Sequence, residues 1–177
     1  MFKKIIHIAL AILFLPVCVS ISAVFYEYLG KMESASLEQL YFFYGCVAYL
    51  AFHAILFKPE RMYVFGHEML HAVAAILLGG KVHSIKVSKK GGSVTASKNN
   101  AFISLAPYLF PFYTILAAAV YFIAAHFMAD VSGYLRMFLF IVGFTITFHI
   151  VLTVDVLKIK QTDLLNTGYI FSVEFIY

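Results

Sequence analysis

Residues 64–80 read VFGHEMLHAVAAILLGG, an apolar helical pattern that carries three ionisable side chains in its first half. On an α-helix His67 and His71 share a face because they are four residues apart, whereas Glu68 is turned about 100° from His67. Two neutral imidazoles at this spacing suit a zinc ion, and the carboxylate can act as general base towards a water on that ion. The HExxH pattern therefore predicts zinc-dependent hydrolysis.

The composition indicates a polytopic membrane protein. Of the 177 residues 63% are hydrophobic and 12% are charged, and the mean hydropathy is +0.91, values far outside the range of soluble globular proteins. Ionisable residues within an apolar segment are costly in lipid and usually line a site or a water-filled cavity. This context favours a functional role for the motif. The alternative is a helix whose histidines only hydrogen-bond to neighbouring helices.

The hydropathy pattern predicts an all-α membrane fold of about five to six transmembrane or membrane-embedded helices, with a short β-hairpin after the HExxH helix. The predicted helices cover residues 5–28, 40–57, 64–80, 101–127 and 134–157. Residues 164–177 are too short and too polar for a full span, so a re-entrant segment is the alternative there. We expect a single membrane-embedded domain over 1–177, with N-terminal spans in 1–62 and a metalloprotease-like core in 63–177.

Charge and cysteine content exclude some other classes of protein. The net charge of +4 comes mostly from lysines near the ends of apolar segments, so it relates to membrane orientation and gives no reason to expect nucleic-acid binding. Cys18 and Cys46 both fall in apolar stretches, so the sequence indicates neither a disulfide framework nor a cysteine-based zinc site. The first apolar segment follows Lys3 and Lys4; we expect it to be retained as a span, with a cleaved signal peptide as the competing interpretation.

The long polar region, residues 81–100, predicts two short strands around a turn at Lys89-Lys90-Gly91-Gly92. A hairpin directly after the metal-binding helix can pair its edge with an extended substrate. On this interpretation Ile85, Val87 and Val94 contact the substrate. A basic loop that lies on acidic lipid headgroups explains the lysines equally well.

Two prolines interrupt the predicted helix over 101–127. Pro107 and Pro111 each remove a backbone donor, and breaks of this kind at membrane depth require neighbouring groups to satisfy the freed carbonyls. Such kinked helices often line a cavity. We therefore expect the break to open space and to line a cavity.

The motif and its surroundings resemble the site-2 protease family of intramembrane zinc metallopeptidases, in particular its small bacterial branch without a PDZ domain. The resemblance rests on HExxH, an apolar half-helix, the exit Gly79-Gly80-Lys81-Val82, the hairpin and the proline-bearing stretch Leu105-Ala106-Pro107, and it covers residues 65–111 best. It implies that His67 and His71 bind zinc, that Glu68 activates water, and that the substrates are transmembrane segments of other proteins. It also implies a multi-pass protein of the bacterial plasma membrane.

The third zinc ligand is the point at which the chain departs from the family pattern. The family usually supplies an aspartate from a Leu-Asp-Gly sequence, which does not occur here. Asp163 precedes a short apolar segment, as the family aspartate does, and is our choice; Asp155 and His149 are the alternatives. Asp155 can equally pair with nearby lysines, and His149 can equally orient a ligand.

Two functional classes follow from these observations. The first is an enzyme that cleaves peptide bonds within the membrane, and the second is a zinc-binding membrane protein without proteolytic activity that acts as a scaffold or regulator. Metal binding needs only the histidines and a third ligand, whereas hydrolysis also needs a base. The presence of Glu68 therefore favours the enzyme. The sequence does not indicate the substrate or the oligomeric state.

Overall fold

The computed structural model describes residues 2–30, 36–88, 91–128 and 130–158, together with residues 172 and 176. The chain divides into two compact units, one formed by residues 1–34 with 159–177 and the other by 35–158. In the first unit the described part is essentially one helix, α1 (Phe2–Gly30), which contains Pro16. The second unit contains the HExxH motif, so it carries the candidate site.

Helices and one hairpin make up the second unit, as the sequence predicts. In chain order its elements are α2 (Leu37–Ile55), α3 (Glu60–Leu77), β1 (Val82–Ser88), β2 (Gly91–Ala96), α4 (Ala101–Leu109), α5 (Phe112–Phe127), a 3₁₀ turn (Ser132–Tyr134) and α6 (Leu135–Leu157). β1 and β2 pair antiparallel, with an irregularity between Val82 and Ser84. The mostly helical fold and the hairpin are therefore confirmed.

Helices α2 and α3 begin earlier than the hydropathy pattern predicts: α2 has a side-chain cap at its start, and α3 follows a proline. Ser36 and Gln39 form a capping box, in which each side chain bonds the other residue's backbone N–H, so α2 begins at Leu37 and not at residue 40. α3 begins at Glu60, directly after Pro59, because proline is compatible with a helix start. The gap between the two helices is thus residues 56–59, whereas the predicted helices left 58–63 between them.

Two glycines allow α2 and α6 to pack closely. A Cβ atom on Gly45 would collide with the carbonyl oxygen of Phe140, and one on Gly143 would collide with that of Phe42. Next to this crossing, buried Tyr49 lies edge-on against Phe148 with ring centroids 5.5 Å apart. Residues of α3 and α5 also pack against this buried cluster.

The helix over 101–127 is broken, as the prolines predict. α4 and α5 meet at an angle of 71°, and the break lies at Phe110 and Pro111, while Pro107 remains inside α4. Asn100 caps α4 by accepting the N–H of Ile103 on its side-chain oxygen at 2.9 Å. Ala74, Ala75, Ile103 and Ala106 form a second buried cluster, which holds α4 against α3.

Among the described residues, one helical segment, Ser132–Leu157, is long and apolar enough by itself to cross a membrane. The bent pair α4 and α5 meets the same criterion when the two are taken together. Large apolar side chains on the outer faces are exposed, for example Val47, Val120 and Ile150. An apolar exterior of this kind is typical of a lipid-facing surface.

Candidate metal centre

Helix α3 brings the two motif histidines together. Their Nε2 atoms are 3.2 Å apart, and the imidazole rings are nearly perpendicular, with centroids separated by 4.8 Å. Two nitrogens that each lie about 2.0–2.1 Å from a tetrahedral zinc ion are about 3.3–3.4 Å apart. The separation of the two donor atoms therefore fits joint binding of one zinc ion by His67 and His71.

A backbone carbonyl fixes the tautomer of His71. Its Nδ1 lies 2.8 Å from the carbonyl oxygen of Ile103 in α4. A carbonyl oxygen can only accept, so Nδ1 must carry the proton and donate it. In the neutral ring this leaves the lone pair on Nε2, the atom that faces His67. Such a bond from the second ring nitrogen is the usual support of a metal-binding histidine.

Aromatic rings surround His67. The ring of Tyr108 is edge-on to the imidazole with a centroid distance of 5.0 Å, and the ring of Tyr63 lies 5.8 Å away. A small pocket lies beside this imidazole. It is lined by Tyr63, Gly66, His67, Leu70, Pro107, Phe112, Tyr113, Phe148 and His149. The α4–α5 break therefore borders a space, as expected from the two prolines, and the structure adds that this space lies next to the candidate ligand.

Glu68 is buried, with a relative exposure of 6%. It lies beneath the hairpin, where a Cβ atom on Gly92 of β2 would be 2.7 Å from its carboxylate oxygen Oε1. The glycine therefore lets the strand backbone reach the carboxylate. Glu68 follows His67 directly on α3, so the helix holds the candidate base and both candidate ligands on adjacent turns.

The described part of the chain does not add a third ligand to this pair. Among the described residues no group of three or more histidine, cysteine, aspartate or glutamate side chains is arranged to hold a metal ion. His149 donates from Nε2 to the carbonyl of Tyr108 at 3.2 Å. Asp155 is bonded by Lys158 at 2.9 Å, the pairing with a nearby lysine that was considered from sequence, and also by the distant Lys58 at 2.7 Å. Asp163 lies outside the described residues.

The hairpin residues assigned to substrate contact lie on both strands. Ile85 is opposite Val94, and Val87 is opposite Gly92. Ile85 and Val87 are exposed, while Val94 is half-buried. Contact of these side chains with a substrate stays a prediction.

Two supporting groups escaped the sequence analysis. Contact between Gly92 and Glu68 depends on the hairpin folding back along α3, and the sequence shows only a glycine pair suited to a turn. The carbonyl of Ile103 carries no sequence signal of its own. Pro107, four residues later, is the signal that marks this carbonyl as one without a helical donor.

Most of the chain, including the residues of this site, matches the model of a known protein family. The family model described as Peptidase M50B-like matches residues 40–160, a range that contains both histidines, Glu68, the hairpin and the α4–α5 break. No curated protein and no solved structure matches the chain. Since the match extends over well more than half of the sequence, the chain belongs to the Peptidase M50B-like family, which is the site-2 protease family that its motif resembles.

Proposed function

We propose that the protein is an intramembrane zinc metalloprotease that hydrolyses peptide bonds in transmembrane segments of other proteins. The observation that carries this proposal is that the Nε2 atoms of His67 and His71 lie 3.2 Å apart on α3, and that the residue after His67 is the buried carboxylate Glu68. A histidine pair alone suits metal binding, whereas the adjacent Glu68 adds the base that hydrolysis requires.

His67 and His71 would hold the zinc ion, with Asp163 as the proposed third ligand and Asp155 or His149 as alternatives. Bound zinc would lower the pKa of a coordinated water and polarise the scissile carbonyl. Ile103 keeps the lone pair of His71 directed towards His67 through the Nδ1 bond. Glu68 would accept the proton of the attacking water and deliver it to the leaving amine.

The bilayer and the substrate class are part of the same proposal. The apolar segment Ser132–Leu157, the bent α4–α5 pair and the exposed apolar side chains support a multi-pass protein, and we place it in the bacterial plasma membrane. A transmembrane segment must be extended locally before its backbone can be cleaved. The free edge of the hairpin, with Ile85, Val87 and Val94, would bind such a stretch by adding a strand.

The test compares wild-type protein with Glu68→Gln in proteoliposomes that also contain extracted membrane proteins. New protein N-termini are then identified by mass spectrometry. Wild-type protein should generate termini within apolar segments, and Glu68→Gln should reduce them by at least ~100-fold, the usual scale for a general base, while retaining its zinc.

Glu60→Gln is the matched control, because it makes the same chemical change in the first turn of the same helix. It should cleave like the wild type. A folded wild-type protein that holds zinc but generates no new termini would instead indicate the scaffold or regulator. Equal cleavage by wild type and Glu68→Gln would remove Glu68 from the mechanism.

A further inference from the structure

Pro107 is the one proline inside α4, and it is among the most deeply buried residues described, with a relative exposure below 2%. In an α-helix the N–H of a residue bonds the carbonyl four residues earlier. Proline has no N–H, so Pro107 leaves the carbonyl of Ile103 without its helical donor. Ile103 is itself buried, and a buried carbonyl without a partner is costly.

His71 provides the missing donor. Its Nδ1 is 2.8 Å from the oxygen of Ile103, a short distance for an N–H···O bond. The bend between α4 and α5 gives a second example of a carbonyl without its helical donor. The helical donor for the carbonyl of Tyr108 would be Phe112, which instead begins α5 beyond the bend, and His149 bonds this carbonyl through Nε2 at 3.2 Å. Imidazoles from two other helices thus bond carbonyls on either side of Pro107.

We propose that Pro107 is a positioning residue for His71: by withholding an N–H from the carbonyl of Ile103, it reserves that carbonyl for Nδ1 of His71. The reserved bond holds the proton on Nδ1 and presents the Nε2 lone pair beside His67. This inference deepens the proposed function, because it concerns how the candidate zinc ligand is prepared.

A purely structural role for Pro107 leads to the opposite expectation. If the proline only shapes α4, then Pro107→Ala restores a helical hydrogen bond and leaves His71 unchanged. If the proline reserves the carbonyl, the new N–H at residue 107 competes with Nδ1–H for the same oxygen. The tautomer of His71 then becomes mixed, and zinc binding weakens although the helix itself gains a bond.

The first measurement requires no metal. Metal-free protein labelled with ¹⁵N-histidine is studied in detergent by NMR, and the His71 signals are assigned with His71→Gln. Wild-type His71 should show protonation at Nδ1, and Pro107→Ala should shift part of the population to Nε2–H. An identical tautomer in both proteins would overturn the proposal, whether or not the protein is a zinc enzyme.

The second measurement is zinc affinity by competition with a chromogenic chelator. Pro107→Ala should bind zinc about tenfold or more weakly, the usual scale for loss of a group that orients a ligand. Pro16→Ala is the matched control, since it adds an N–H inside another helix, α1, and it should bind zinc like the wild type. Equal affinity of Pro107→Ala and wild type would contradict the proposal while leaving the proposed function intact.

A third variant separates the missing N–H from the shape of the proline ring. Lactic acid in place of Pro107, introduced by nonsense suppression in cell-free synthesis, has no N–H and no ring. It should restore both the Nδ1–H tautomer and the wild-type zinc affinity. If it behaves like Pro107→Ala, then ring shape is what matters and the proposal is wrong. A folded wild-type protein that binds no zinc would reject the proposed function, and the tautomer measurement would still test the role of Pro107.

Discussion

The backbone of Gly92 lies against the carboxylate of Glu68, so closely that an added Cβ atom would be 2.5 Å from Cγ and 2.7 Å from Oε1. Real Cβ atoms essentially never approach a heavy atom this closely. Glu68 is therefore held between α3, to which it belongs, and the backbone of the hairpin. This contact leads to the first prediction.

Gly92→Ala should lower turnover by ~10–100-fold, because the methyl group displaces the carboxylate and small displacements of a catalytic group are costly. Zinc content should stay at the wild-type level, since neither histidine is touched. Measured cleavage and elemental analysis of the same preparation test both statements. Ser93→Ala, in the same strand with its side chain on the other face, is the control and should retain full activity. Full turnover by Gly92→Ala would show that the carboxylate has room to move.

Protein purified without exposure to a chelator should contain about one zinc ion per chain, because the imidazole nitrogens of His67 and His71 suit this metal. His67→Ala and His71→Ala should each lose most of it. His53→Ala is the matched control, because His53 belongs to α2 and its Nδ1 forms a hydrogen bond with the hydroxyl of Tyr49 at 3.3 Å. Folded wild-type protein without any transition metal would refute the zinc site.

The proposed third ligand can be tested by the same elemental analysis. Asp163→Ala should lower zinc content sharply, because a catalytic zinc ion requires three protein ligands. Asp155→Ala should leave it nearly unchanged, since this carboxylate is bonded by Lys58 and Lys158, and the loss of such exposed pairs changes stability by only about 0–1 kcal/mol. The reverse result would assign the ligand to Asp155, and loss of zinc in His149→Ala alone would assign it to His149.

The α2–α6 crossing should tolerate no side chain at its two glycines. Gly45→Ala and Gly143→Ala should each lower the free energy of unfolding in detergent by about 1–3 kcal/mol or more, the scale of overpacking in a core, because each Cβ atom meets a backbone carbonyl of the other helix. Gly133→Ala is the control, since no atom lies within 4 Å of its added Cβ. Unchanged stability in all three variants would mean that the helices separate at little cost.

Features that depend on local sequence were predictable. The HExxH helix, the hairpin at residues 82–96 and the break near Pro111 follow from periodicity, glycine and proline. Helix starts were less accurate, because the Ser36–Gln39 capping box precedes the apolar stretch that begins at residue 40. The predicted starts of α2 and α3, at residues 40 and 64, are each only a few residues later than the observed ones.

Contacts between distant segments could not be predicted in the same way. Pro107 marks the carbonyl of Ile103 as one without a helical donor, but only the packing of α4 on α3 brings His71 to it. The contact of Gly92 with Glu68 similarly depends on the direction of the hairpin. The identity of the third ligand could not be predicted for the same reason, because a residue becomes a ligand by lying close to the two histidines in space, whatever its neighbours in sequence.

The hairpin is fastened to α3 at one end of its length. At its base Lys98 donates to the carbonyl of Leu78 at 2.9 Å, and Val82 and Ala96 pack on the Ala74–Ala75 cluster. Gly92, towards the other end, lies at Glu68, nearer the start of the helix. The base of the hairpin is thus attached near the C-terminal end of α3. Gly92 is farther from this attachment than Ala96, so we expect a force on the hairpin to move Gly92 away from the Glu68 carboxylate before it disturbs the packing at the base.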